Sequence, residues 1–162
     1  MRIGLVSDTH NDRLAAERAL THLRSEGITV LLHAGDVTDS GTLRLFEGFD
    51  MWIARGNMDH DPGLGPATQE LFGCGRLRAI HRLTLDGASI ALAHNGDAVE
   101  VRSLIASGAL DYVILGHSHR RHDQRLGKTR VINPGALGNA RWCRPSFAIL
   151  DLSRDELSSI EQ

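Results

Sequence analysis

Five apolar stretches of the sequence each lead into a residue able to bind a metal ion, namely Asp8, Asp36, Asn57, His94 and His117. Two further imidazoles follow at a spacing of two, His10 after Asp8 and His119 after His117. In an extended segment that spacing turns both side chains to the same side. The set comprises two carboxylates, one amide oxygen and four imidazoles, with no thiolate. Mixed oxygen and nitrogen ligands suit manganese, taken first, or iron, zinc or nickel, whereas a magnesium or calcium site would be nearly all oxygen. Seven ligands are too many for one structural zinc. They suffice for two divalent metal ions if one carboxylate bridges, and Asp36 is the natural bridge. Two adjacent ions acidify a water between them, which is the chemistry of metal-assisted hydrolysis.

Each residue alone has a plainer reading. An aspartate after a strand is more often a helix cap than a ligand, and Gly-His-Ser-His by itself is weak. The ordered set Asp-x-His, Gly-Asp, Gly-Asn-x-Asp, His, Gly-His-x-His, each at a strand end, is far more specific. Gly35, Gly56 and Gly116 immediately precede proposed ligands. There the backbone has to turn sharply from strand to site, at φ angles other residues avoid.

The elements that would position these residues alternate. Arg2 to Ser7 reads as a strand, and Leu14, Ala15, Ala19, Leu20 and Leu23 recur at helical spacing up to Gly27. Val30 to Ala34 is a second strand, Thr42 to Phe46 a short helix, and Met51 to Ala54 a third strand. This is the pattern of βαβ units and a mainly parallel sheet, whose strand ends form the usual ligand crevice. Residues 60–76 are rich in Gly and Pro and read as loop with one helical turn around Gln69 to Phe72. Ala79 to Leu85 and Ser89 to Ala93 flank an Asp86-Gly87 hairpin turn. Ala98 to Ser107 reads as helix, Tyr112 to Leu115 as a buried strand, and Arg125 to Val131 as a hairpin around Gly127-Lys128. Ser146 to Leu152 and Leu157 to Ile160 close the chain. With 162 residues, one α/β domain spanning 1–162 is expected.

Bulk composition excludes other classes. Eighteen basic and twenty acidic residues leave a formal charge of −2, so no global field draws the chain to nucleic acid or an anionic membrane. The first apolar run is too short for a secretory or membrane segment, which points to a cytoplasmic protein. Cys74 and Cys143 form no C-x-x-C pattern, so neither a disulfide framework nor a thiolate zinc site is expected. His33 sits inside an apolar strand and reads as a hydrogen-bonded core or edge residue. His22 falls on the first helix, and His81 and His122 read as surface or strand residues. His60 follows Asp59 in a loop near the ligands. Trp52, Trp142 and Tyr112 read as core or rim, since 4% aromatic content gives little material for a base-stacking platform. Arg120, Arg121, Arg125, Lys128, Arg130, Arg141 and Arg144 make the segment after His119 basic, either as a solvated face or as an attraction for anionic substrates.

In this ordered set the sequence resembles the calcineurin-like metallophosphoesterases, and within them the small bacterial and archaeal phosphodiesterases. The likeness runs from Asp8-Thr9-His10 to Asn133-Pro134-Gly135. It implies an α/β fold, a four-layer α/β/β/α sandwich, with one metal held by Asp8, His10, Asp36 and His119. The second metal would be held by Asp36, Asn57, His94 and His117. Three positions depart from the pattern. Met58 stands where many members have a histidine that serves the leaving group or the transition state, a histidine that the small phosphodiesterase subgroup commonly lacks. His94-Asn95-Gly96 replaces His-Gly, and Ala136 replaces a serine after Asn133-Pro134-Gly135.

The expected function is therefore two-metal hydrolysis of phosphodiesters, and of monoesters as a second class, by a metal-bridging hydroxide attacking phosphorus in line with the leaving oxygen. Asp36, Asn57 and His94 are the expected catalytic residues, and Asn57 with backbone N–H groups near Gly135 would hold the substrate. A small phosphate ester is the expected partner, with no membrane, nucleic acid disfavoured but kept open, and a homo-oligomer compatible with the sequence. The alternatives are a non-catalytic scaffold, as in one retromer subunit of this fold whose metal site is altered, and a nuclease. Seven intact ligands favour an enzyme. Neutral overall charge and short loops weigh against the nuclease.

Overall fold

The computed structural model describes residues 1–139 and 144–162. Arg141, Trp142 and Cys143 lie outside the described residues. Two sheets form the centre. The larger has the order β11-β10-β1-β2-β3-β4, from β1 (Arg2–Val6), β2 (Val30–His33), β3 (Asp50–Ala54), β4 (Leu77–Arg78), β10 (Ser146–Asp151) and β11 (Glu156–Glu161). The smaller has the order β5-β6-β7-β9-β8, from β5 (Ile80–Leu85), β6 (Ala88–Ala93), β7 (Tyr112–Ile114), β8 (His122–Leu126) and β9 (Thr129–Asn133). Strands β1 to β4 pair in parallel, as do β6, β7 and β9, while β10, β11, β5 and β8 pair antiparallel at the flanks. Read from the residues alone, the chain reads as one mainly parallel sheet. Its central strands are parallel, but the chain divides them between two sheets.

The period-two alternation of strands explains the layers. Ile3 and Leu5 of β1, Leu32 of β2 and Leu150 of β10 face Ile90 and Leu92 of β6, Ile114 of β7 and Ile132 of β9, making the core between the sheets. The intervening residues, Val6, Leu31, Met51, Ile53 and Phe147, turn to the opposite face. There they meet α1 (Arg13–Ser25), α2 (Ser40–Leu43) and α3 (Leu64–Phe72). On the far side Ala91, Val113 and Val131 pack against Val101 and Leu104 of α4 (Val99–Ala106). The result is the α/β/β/α sandwich. Strands apolar on both faces can be buried on both, as parallel sheets require.

Two elements differ from the sequence reading. Residues 64–72 form a nine-residue helix and not a single turn. Pro66 occupies its first turn, where the backbone N–H has no intrahelical partner to lose. Leu64, Ala67 and Thr68 are buried, so the helical stripe is real but short. Strand β4 is only two residues and too brief to show a period. Among the described residues, no helix is long and apolar enough to cross a membrane.

Candidate metal centre

The ligand-bearing segments follow the carboxyl ends of β1, β2, β3, β6 and β7, and backbone hydrogen bonds tie them together. Asp8 donates its N–H to Gly35 O at 2.9 Å, His10 donates to Asp36 O at 3.0 Å, and Gly116 donates to His94 O at 3.1 Å. The His117 N–H reaches the Asp8 carboxylate at 3.0 Å. Five of the seven residues, Asp8, His10, Asp36, His117 and His119, have positive φ between 44° and 67°. Non-glycine residues rarely adopt that region, and such strain gathers where the surroundings over-determine it, chiefly at functional sites.

The glycines before the ligands act in two ways. Gly35 has φ +96°, and a Cβ there would also run into the His94 ring, 2.5 Å from Nδ1. At Gly116 the need is space alone, because a Cβ would come within 2.6 Å of Ala34 O. Left-handed backbone is thus carried more by the ligands than by the glycines preceding them.

All seven side chains converge. Asp8 is fully buried, and its Oδ2 accepts from Ser7 Oγ at 2.5 Å. Its Oδ1 lies 3.3 Å from His119 Nε2 and 3.8 Å from His10 Nε2, and those two nitrogens are 3.1 Å apart. On the other side, Asn57 Oδ1 lies 2.9 Å from both His94 Nε2 and His117 Nδ1, which are 3.2 Å from each other. Asp36 Oδ2 joins the two groups, 3.5 Å from His10 Nε2 and 3.5 Å from His94 Nε2. Its Oδ1 accepts from the Met58 N–H at 2.8 Å.

The donor set fits metal ions. Ligand atoms held about 2.0–2.2 Å from one ion stand roughly 3.0–3.5 Å from one another, close to the separations seen here. Hydrogen bonding also fixes which ring nitrogen is free. His94 Nδ1 is 2.7 Å from Ala34 O and His119 Nδ1 is 3.0 Å from Asn139 O. Each therefore donates Nδ1–H outward and turns an Nε2 lone pair inward. His94 Nε2 then meets Asn57 Oδ1, lone pair to lone pair, a contact that needs a cation between them or a proton on the ring.

Electrostatics favour the ligand protonation states of Asp8 and His10 and oppose that of His119. Burial works to raise the Asp8 pKa, but the bonds from His119 and Ser7 and the nearby imidazoles outweigh it and hold the carboxyl below its ordinary value. Burial lowers His10 despite Asp36 and Asp8. His119 is raised, chiefly by its bond to Asp8.

Gly135 does not join the cluster. Its N–H is 2.9 Å from Asn133 Oδ1 and so is already engaged, and a Cβ there would meet Ser146. The same Asn133 donates Nδ2–H to Gly116 O at 2.7 Å, so the Asn-Pro-Gly turn braces the His117 loop from behind. Met58 is 47% exposed at a basin of about 330 Å³ shared with His10, Asp36, Asn57, His117 and His119. His60 is exposed and does not line that basin.

Three residues behind the ligands are more important than the sequence reading allows. Asp59 is buried and its carboxylate accepts the N–H groups of Asp36, Thr38 and Gly56 at 3.2, 2.8 and 2.6 Å. The Gly-Asn-x-Asp spacing was the available signal. His33 is a satisfied core residue, as expected, accepting from Gly35 N–H at 3.1 Å and contacting Thr9 Oγ1 at 2.8 Å. It thereby braces two ligand loops. His81 is buried in β5 against Ile53 O at 2.9 Å, not at the surface.

The basic segment is largely paired. Arg121 meets Glu161, Arg125 meets Asp155, Lys128 meets Asp111 at 3.0 Å, and Arg130 meets both Asp123 and Asp155.

Comparison with known proteins agrees with this geometry. The chain is 25% identical over 163 residues to the phosphodiesterase MJ0936 of Methanocaldococcus jannaschii, covering 99% of this chain and 98% of that one. An archaeal phosphodiesterase structure superposes with a TM-score of 0.90 at 24% identity, each chain covered completely. A zinc complex of Vps29 from Entamoeba histolytica has a TM-score of 0.71 at 18% identity, covering 98% of this chain and 90% of that one. The calcineurin-like phosphoesterase superfamily domain matches residues 1–155, and this chain belongs to that family.

Proposed function

We propose that this protein is a metal-dependent phosphodiesterase acting on small phosphate esters through two divalent ions, manganese being the first candidate. One ion would be held by Asp8, His10, Asp36 and His119, the other by Asp36, Asn57, His94 and His117. The observation that carries this reading is Asp36 Oδ2, equally distant from His10 Nε2 and His94 Nε2 and so common to both donor sets. The kinship with a curated phosphodiesterase over nearly its whole length supports diester substrates.

When bound, the ions supply positive charge against the phosphoryl oxygens and a water acidic enough to act as nucleophile near neutral pH. The chain's own residues orient. Asn57 Oδ1 faces the two histidines, which leaves its amide N–H donors for a phosphoryl oxygen. Met58 adds an apolar wall with no proton to give. The shared core between the sheets supports reading residues 1–162 as one domain.

The test is hydrolysis of bis(p-nitrophenyl) phosphate by chelator-stripped protein as manganese is added, with binding followed by calorimetry. Activity that rises with occupancy of two sites is expected. Full activity in the stripped protein would overturn the reading, and two bound ions with no turnover on any ester would favour the scaffold alternative. The ion pairs of Arg121, Arg125, Lys128 and Arg130 weigh against nucleic acid as the substrate.

A further inference from the structure

We infer that a cleft beside Asn57, His94 and His117 seats a flat aromatic substituent of the phosphate ester, an inference that rests on the phosphodiesterase reading above. The cleft has a volume of about 460 Å³, within the range of small-molecule sites. Those three ligand residues form part of its lining. Its walls are mainly apolar and come from separate segments: Ala79 and Ile80 at the start of β5, Ala93 at the end of β6, and Ala98 and Val101 at the start of α4, with Asn95 and Glu100 as polar members.

Asn57 and His117 line both this cleft and the polar basin that holds His10, Asp36 and His119. A phosphate ester bound at that shared wall therefore meets charge and ligand atoms on one side and an apolar recess on the other. The phosphoryl group belongs in the basin with the ligand atoms, because most of the recess is apolar and the Glu100 carboxylate on its lining would repel an anion. An apolar group gains there by leaving water.

Arg55 narrows the group to a flat ring. It lines both this cleft and the neighbouring depression beside α3, with Nη1 donating to Asp59 O at 3.2 Å and no carboxylate ion pair among the described residues. A planar guanidinium so placed can stack on an aromatic face. A larger depression of about 740 Å³ beside α3 is lined mainly by glycine and polar residues and touches none of the seven ligands.

The experiment is calorimetric binding of methylphosphonate, phenylphosphonate and cyclohexylphosphonate to the manganese-loaded protein. All three carry the same headgroup and none has an ester bond to hydrolyse. Phenylphosphonate is expected to bind about tenfold or more tightly than methylphosphonate. That ratio should fall toward one in Ala79→Trp and in Ala98→Trp, two exposed positions on different segments, so that failure of one variant to fold leaves the other. Equal affinity for methyl and phenyl compounds would overturn the inference while leaving the metal site standing. A preference that survives in both folded tryptophan variants would also overturn it. Cyclohexylphosphonate matching phenylphosphonate would remove the aromatic selectivity assigned to Arg55. If no phosphonate binds, the phosphodiesterase reading itself fails.

Discussion

The carboxylate of Asp59 accepts the backbone N–H of Asp36 at 3.2 Å, so the residue that joins the two clusters of candidate ligands is held in its left-handed conformation by a buried acid that belongs to neither cluster. Asp59 also accepts from Thr38 and Gly56, which joins the loops after β2 and β3.

Asp59→Asn replaces one acceptor oxygen with an NH2 group that cannot accept from an amide, leaving at least one buried N–H without its partner. Loss of about 1–3 kcal/mol of stability is expected, measured by urea unfolding. Manganese affinity, measured by calorimetry, should fall with it because the Asp36 and Asn57 loops lose their tie. Unchanged stability and affinity would show that Asp59 is a passenger.

His33 sets an acid limit on the fold. Burial pushes its pKa down to about 4 from an ordinary value of 6.5. The unfolded chain therefore takes up a proton between those values while the folded one does not. Stability is fully present above pH 6.5 and is lost as pH falls toward 4, by up to roughly 3 kcal/mol. Urea midpoints across this window should show the slope in the wild type, and His33→Gln should flatten it while lowering stability at pH 7. An imidazole resonance for His33 that titrates near 6.5 in the folded protein would contradict this account.

The donor sets predict an asymmetric response to ligand removal. Asp36→Asn should impair both metal sites and eliminate turnover with added manganese. His117→Ala should weaken one site, drop turnover at least a hundredfold, and leave the melting temperature nearly unchanged because His117 is exposed. Wild-type turnover in His117→Ala would remove it from the second site.

Met58 bears on the leaving group. General acid catalysis typically contributes about 100- to 10,000-fold, and a thioether has no proton to offer. Activity is therefore expected to be good on activated aryl diesters, weak on simple alkyl esters, and steeply dependent on leaving-group pKa. Met58→His should flatten that dependence. A shallow slope in wild type that steepens in His60→Ala would identify His60 as the acid, against its placement outside the basin.

Much of the site was legible in the chain because its chemistry is local. A ligand at a strand end follows an apolar run, and Asp8-Thr9-His10 and His117-Ser118-His119 advertise themselves by spacing. Local signals failed where a role depends on partners elsewhere. Asp59 reads like any loop aspartate until the N–H groups of Asp36, Thr38 and Gly56 surround it, and Gly135 reads as a free N–H until Asn133 takes it. The basic segment after His119 reads as opposed by Asp123 alone because its other acids, Asp111, Asp155 and Glu161, lie outside that segment of the chain. The helix at 64–72 was obscured by a proline that a first turn tolerates. The sequence by itself determined which atoms could bind metal and which strands would carry them. Only the tertiary structure decided that His10 and His119, 109 residues apart, put their Nε2 atoms 3.1 Å from each other, because that distance is set by how the two sheets pack and no spacing along the chain encodes it.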